Sequence, residues 1–339
     1  MSDGCDECAG YRDAGARFCG ACGKRVGRSG FSLFLEDKMK VIATITMVYL
    51  LLELSLLLLS TPSILSIIGE FGVDLIIIVP HPRVVYMLTG AGAELYWIGA
   101  VAVITASILF ATFRYVSARR AENGGSASEV KRTALFWIGI LFSASLLVEI
   151  LLFAISAQLG FGTDVGWTSD YTDTELLFML ANASVWEELI SRVALIGIPI
   201  VLIQLARTGD PRSAAHLLGG FGMSRVAVVL IVFSGIMFGA AHYNGWGIAK
   251  AVITCLGGVI FGYVYVRFGV YASIIMHFLT NYLSGFIYAD GFAVLGIFGS
   301  LLFLMIGFVS LAYLLTRIPG NTDVKAYLKS LPLFPESRD

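Results

Sequence analysis

The sequence predicts an all-α fold, a polytopic transmembrane helix bundle of about eight spans with a small N-terminal zinc ribbon. Three observations carry this expectation. The apolar residues come in long unbroken blocks, charged residues are 14% of the chain against 57% hydrophobic, and mean hydropathy is +0.83. Soluble domains carry about 25% charged residues. They do not need apolar runs long enough to cross a hydrocarbon layer of ~30 Å. A net charge of −1 offers no basic surface, so no nucleic-acid partner is expected and membrane lipid is the expected environment.

Residues 1–30 differ in kind from the rest. Cys5-Asp-Glu-Cys8 and Cys19-Gly-Ala-Cys22 form two knuckles with four thiolates. Such pairs suit a tetrahedral Zn²⁺ closed to water, and a segment this short has no core without such a staple. Two disulfides are the alternative, and they need an oxidising compartment. The expected cofactor is therefore a structural zinc on Cys5, Cys8, Cys19 and Cys22, in a module that could dock a protein partner. The stretch from Ala16 to Arg25 resembles the zinc ribbons at the ends of many microbial membrane proteins. Cys255, alone in an apolar run, reads as a small core residue.

A juxtamembrane linker at 31–40 leads into a bundle at 41–317, with a cytoplasmic tail at 318–339. Spans are expected at 41–60, 93–113, 133–157, 174–205, 226–242, 248–266, 271–289 and 293–316. Basic residues gather before the first span (Lys38, Lys40), after the second (Arg119, Arg120, Lys131, Arg132), and after the fourth (Arg207, Arg212, Arg225). Arg267 follows the sixth span, and Arg317 follows the eighth. The alternate loops are acidic or neutral, so the positive-inside rule places both termini in the cytoplasm of a multi-pass membrane protein. The N-terminus shows no signal-peptide cleavage pattern, so it is expected to be retained. Glu70, Asp74 and Pro80-His81-Pro82 interrupt the apolar residues of 61–92. A further span there would reverse the charge pattern, so an external or re-entrant segment buried against protein is expected.

The chemistry-bearing residues stand out because a charge at the bilayer centre costs roughly 2.5–3.5 kcal/mol on insertion scales. Glu187, Glu188 and Arg192 nevertheless lie inside the fourth apolar run. Glu188 and Arg192 are four apart and share a helix face, where they can pair. Glu187 is about 100° away around the axis and free to face a cavity and hold a water. A structural ion pair is the plainer reading of Glu188 and Arg192, but it leaves Glu187 without a use. His242 closes Phe238-Gly-Ala-Ala-His242, and His277 and Asn281 share one face of the seventh span. Imidazole and carboxamide donors suit a developing oxyanion. His81 and His216 lie in loop-like sequence and are assigned no role.

Together, Glu-Glu-x-x-x-Arg at 187–192, Phe-x-x-x-His at 238–242 and His-x-x-x-Asn at 277–281 resemble the CAAX-protease and bacteriocin-processing family of intramembrane glutamate proteases. The motif core covers 174–290. The resemblance implies a metal-independent intramembrane endopeptidase acting on a membrane-anchored, possibly prenylated, peptide or protein. In that scheme Glu187, helped by His242, activates water; His277 and Asn281 form the oxyanion hole; Glu188 and Arg192 position the site. No catalytic cofactor is expected. Two other classes remain: a catalytically silent scaffold or immunity-type protein of the same fold, and a metal-dependent membrane enzyme or transporter using Glu187, His242 and His277 as ligands. The latter lacks HExxH.

Depth gives one more expectation. At ~1.5 Å per residue, Glu187 lies ~20 Å from the outer face and His277 ~9 Å from the inner face, similar levels in a ~30 Å core. These levels favour a cavity reached from the cytoplasmic side. By the same ruler His242 lies ~24 Å from the inner face, too far out unless the fifth helix is tilted or begins before the bilayer. Gly235-x-x-x-Gly239 and Gly258-x-x-x-Gly262 predict close packing of two consecutive helices. Asn244-Gly-Trp-Gly247 is expected to break the helix beside the cavity.

Overall fold

A computed structural model describes residues 21, 30–79, 82–124, 129–162, 170–286, 292–317 and 324–335. The zinc-ribbon expectation for Cys5, Cys8, Cys19 and Cys22 lies outside these residues. The chain begins with α1 (Gly30–Phe71), a hairpin of β1 (Val73–Ile77) and β2 (Arg83–Leu88), and α2 (Ala91–Asn123). A 3₁₀ turn (Val130–Arg132) leads to α3 (Ala134–Gln158). Next, α4 (Asp173–Glu188) runs through a π-helical segment (Leu189–Gly197) into α5 (Ile198–Thr208). A 3₁₀ segment (Pro211–Leu218) precedes α6 (Arg225–Ala241), α7 (Tyr243–Phe268), α8 (Val270–Gly285), α9 (Ala293–Leu315) and α10 (Val324–Ser330).

A helix forms at each expected span. Among the described residues six helices are long and apolar enough to cross a membrane: Leu35–Phe71, Ala91–Asn123, Ala134–Gln158, Asp173–Thr208, Tyr243–Phe268 and Ala293–Leu315. The other two, α6 and α8, are shorter, with 17 and 16 residues. At ~1.5 Å per residue they reach ~25 Å.

Residues 61–92 also differ from expectation. α1 passes through Pro62 and continues to Phe71 because Ile64 and Ile68, one turn apart, are both buried in the core. It stops at Gly72, which has φ +80° and returns its N–H to the Ile68 carbonyl at 2.8 Å. The β-branched residues that follow form the antiparallel hairpin, pairing Val73 with Leu88 and Asp74 with Met87. The fold is thus the expected all-helical bundle, and among the described residues it carries one two-stranded hairpin in place of irregular chain.

The main core joins α1, α2, α3, α4, α8 and α9 through buried Trp97, Phe136, Phe142, Phe178, Phe278 and Phe303. The α6–α7 pair forms as the glycine spacing predicts. A Cβ at Gly258 would stand 2.9 Å from Gly235 Cα, and one at Gly239 would stand 2.7 Å from Cys255 Cβ, so larger residues would push the helices apart. Cys255 is half-buried in this contact.

Candidate active site

Four elements converge on one cavity. α4 starts with a capping box, in which the Thr172 hydroxyl accepts from the Glu175 N–H while the Glu175 carboxylate accepts from the Thr172 N–H. Fifteen residues after this cap the helix reaches Glu187 and Glu188. There it widens into the π-helical turn at Leu189–Gly197. Pro199 has no N–H to return to the preceding turn, which removes a regular helical bond where the π segment gives way to α5. The spacing in sequence foretold a shared helix face, but not this wider turn.

Glu188 and Arg192 are completely buried and paired, with Arg192 Nε 3.2 Å from Glu188 Oε2. Arg192 also donates to the Ser234 hydroxyl at 2.6 Å, and Ser234 in turn donates to the Ser191 carbonyl at 2.7 Å. The guanidinium lies 4.9 Å from the Phe238 ring centre and 5.7 Å from that of Phe261. α6 therefore holds the pair from one side through Ser234 and Phe238. From the other side, His277 Nδ1 lies 2.9 Å from Glu188 Oε1. Its ring stacks on Phe261, centroids 4.9 Å apart. Glu188 is thus an anion between two nitrogen donors, a satisfied buried charge rather than a reactive one.

Glu187 faces the other way. Its side chain is 29% exposed and lines a cavity of about 480 Å³, a size that suits a ligand site. His277 Nε2 is 3.7 Å from Glu187 Oε2, too long for a hydrogen bond but close enough for electrostatic attraction if the ring is protonated. His242 lines the same cavity at the junction of α6 and α7. Its Nδ1 is 2.8 Å from the Phe238 carbonyl. A carbonyl only accepts, so Nδ1 carries the proton and Nε2 of the neutral ring is left as an acceptor. The depth difficulty for His242 disappears, because α6 ends at this level and the chain turns there into α7. Gly247, with φ +80°, breaks the start of α7, and Gly245 and Trp246 form part of the cavity wall.

Asn281 lies one turn beyond His277 and is absent from the cavity wall. Its Nδ2 donates to the Leu180 carbonyl at 3.2 Å, tying α8 to α4. Asn182, which sequence reasoning passed over, does line the cavity. Tyr96 donates to Asn182 Oδ1 at 2.6 Å, so the carboxamide is oriented by its oxygen while Nδ2 has no hydrogen-bond partner among the described residues. Ser191 also lines the wall, and Trp186 donates from its indole to the Ile76 carbonyl at 2.9 Å, fastening β1 beside Glu187. No sequence signal marks Asn182, because an asparagine five residues before a glutamate is common on any helix. Among the described residues no group of three or more His, Cys, Asp or Glu side chains is arranged to hold a metal ion.

Residues 172–283 match the family model of the type II CAAX prenyl endopeptidases, Rce1-like. The matched stretch begins at the α4 cap and ends two residues beyond Asn281. It therefore contains all six residues singled out from sequence: Glu187, Glu188, Arg192, His242, His277 and Asn281. No curated protein and no solved structure matches the chain. The match to the Rce1-like model and, among the described residues, six helices of crossing length together describe an integral, multi-pass membrane protein.

Proposed function

We propose that this chain is an intramembrane endopeptidase of the CAAX type that hydrolyses a peptide bond of a membrane-anchored substrate, prenylated ones included, with water activated by Glu187. The observation that carries the proposal is the division of labour within one Glu-Glu pair. Glu188 is locked by Arg192 and His277, while Glu187 is left facing a cavity it shares with His242.

The reaction follows from these atoms. A water held by Glu187 attacks the scissile carbonyl carbon as its proton passes to the carboxylate. The carbonyl oxygen becomes an oxyanion that needs donors. The resemblance assigns that part to His277 and Asn281, and both already have partners in the resting protein. Asn182 Nδ2 has none among the described residues and Asn182 lines the cavity, so we place the oxyanion against Asn182. His242 Nε2 takes the second proton of the attacking water, and the proton on Glu187 goes to the departing amine as the C–N bond breaks. Glu188, Arg192 and His277 position Glu187 through the helix turn they hold rigid.

The ribbon cysteines, in this reading, hold a structural zinc that takes no part in catalysis and present a module for a protein partner. Incubation of the purified chain in detergent with lipidated and unlipidated membrane peptides, read by mass spectrometry, tests the proposal. Internal cleavage without added metal supports it. Intact peptides with well-folded protein would move the reading to a silent scaffold of the same fold.

A further inference from the structure

The two ends of the bundle are chemically unlike, and the cavity belongs to one of them. At the first end lie the N-terminal part of α1, the C-terminal ends of α2 and α9, and the 3₁₀ turn before α3. They are tied by Lys131–Glu36, by Lys40–Glu122 at 3.1 Å and by Arg317–Glu36 at 3.3 Å. The start of α6 joins them there, with α10 docked on it through Arg225, which donates to the Lys329 carbonyl at 2.6 Å. Arg119, Arg120, Arg132 and Arg212 add to this basic end.

The opposite end carries the hairpin, the starts of α2 and α4, and the α6–α7 junction. Among the described residues this end holds two basic side chains, Arg83 and Lys250, the latter 5.1 Å from the Trp246 ring centre, against Glu70, Asp74, Glu94, Asp170, Asp173 and Glu175. Phe71 and Tyr171 meet there at 6.2 Å between ring centroids.

Six residues of the cavity wall come from this acidic end: Phe71, Asp74, Met87, Tyr171, Gly245 and Trp246. Its floor is closed toward the basic end. Arg192 and Glu188 have no exposed surface, and below them Ile196, Ile200, Ala227, Ile231, Tyr265 and Val266 form a second buried apolar cluster. The depth ruler had favoured access from the basic, cytoplasmic side. That ruler measures how far Glu187 lies along its helix, whereas access depends on which side the packing leaves open.

Basic segments stay on the cytoplasmic side of a membrane. We infer that the catalytic cavity opens to the non-cytoplasmic face. The peptide bond it takes is then one near the outer membrane–water boundary, in a substrate that has been exported or whose anchored segment emerges on that side. A lipidated tail exposed only to the cytoplasm does not reach it. This inference rests on the proposed protease reading for its substrate class, but the sidedness itself does not.

The test is accessibility, which does not depend on cleavage. Variants of the full chain that each add one cysteine to the native five, Tyr171→Cys and Glu94→Cys at the acidic end and Arg120→Cys and Arg212→Cys at the basic end, are exposed to a membrane-impermeant maleimide in sealed bacterial cells. The parent chain, with its own cysteines, sets the baseline. All four positions are at the surface of the fold, so each variant is expected to remain folded, and the second variant at each end covers loss of the first. Labelling of the acidic-end pair in sealed cells, with the basic-end pair labelled only after permeabilisation, is the expected result. The reverse pattern overturns the inference, as does labelling of both ends or of neither. Correct sidedness without cleavage of any displayed peptide would sink the protease reading and leave the topology standing. Reversed sidedness with Glu187-dependent cleavage would do the opposite.

Discussion

His277 Nδ1 lies 2.9 Å from Glu188 Oε1, and its Nε2 lies 3.7 Å from Glu187 Oε2, so one imidazole stands between two carboxylates adjacent in sequence. The ring is contributed by α8, 89 positions away in the chain. It gives the Glu-Glu pair two different environments: a sealed one for Glu188 and a cavity for Glu187. Substitutions at the two positions are therefore expected to fail in different ways.

Glu188→Ala should destabilise the protein by about 3–5 kcal/mol, because it leaves Arg192 charged and buried without its carboxylate. Glu187→Gln removes no buried partner and should leave the melting temperature in detergent near that of the parent. Thermal unfolding of the two variants checks this. Equal melting temperatures would mean that the buried pair has little structural role.

Replacing both members of the pair is a sharper test of its purpose. Glu188→Leu combined with Arg192→Met should recover stability relative to Glu188→Ala, since a well-packed apolar pair avoids the desolvation cost. It should remain inactive, because nothing then fixes the turn that carries Glu187. A double variant that cleaves at the parent rate would remove Glu188 and Arg192 from the site.

The oxyanion assignment separates two asparagines. Asn182→Ala is expected to lower kcat by about 10²–10³, the loss typical of one oxyanion donor. Asn281→Ala should act through the α4–α8 contact, lowering stability by about 1 kcal/mol for a lost hydrogen bond. Steady-state kinetics paired with melting curves distinguish them. The opposite assignment, a large kcat loss at Asn281 with none at Asn182, would restore the role that the resemblance implies.

Packing at the glycine faces predicts a purely structural effect. Gly258→Val would drive a side chain into Gly235 Cα and Phe238. It should cost about 1–3 kcal/mol, the usual range for overpacking. Because Phe238 also lies over Arg192, activity should fall with stability. Unchanged melting of this variant would contradict the close α6–α7 contact.

Much of this architecture was legible in the sequence, because helix faces and membrane segments leave periodic and compositional traces. The Glu188–Arg192 pairing follows from their four-residue spacing, and the α6–α7 contact from the glycine repeats. The continuation of α1 past Pro62 was hidden, since it depends on core partners for Ile64 and Ile68 supplied by other helices. Nothing local foretold that His277 would be used by Glu188, or that Asn281 would be held by the Leu180 carbonyl. Those bonds join residues about ninety to a hundred positions apart. Depth along a helix can be counted in residues, whereas the seal beneath Arg192 is made by the packing of several segments.

The central claim is that Glu187 is the catalytic carboxylate, and comparing peptide cleavage by the parent and by Glu187→Gln tests it most directly. Both proteins are measured in the same detergent, each shown by its melting curve to be folded, on a membrane peptide that the parent cleaves. The account predicts product from the parent and none above background from the variant. Product at the same rate from both would contradict it.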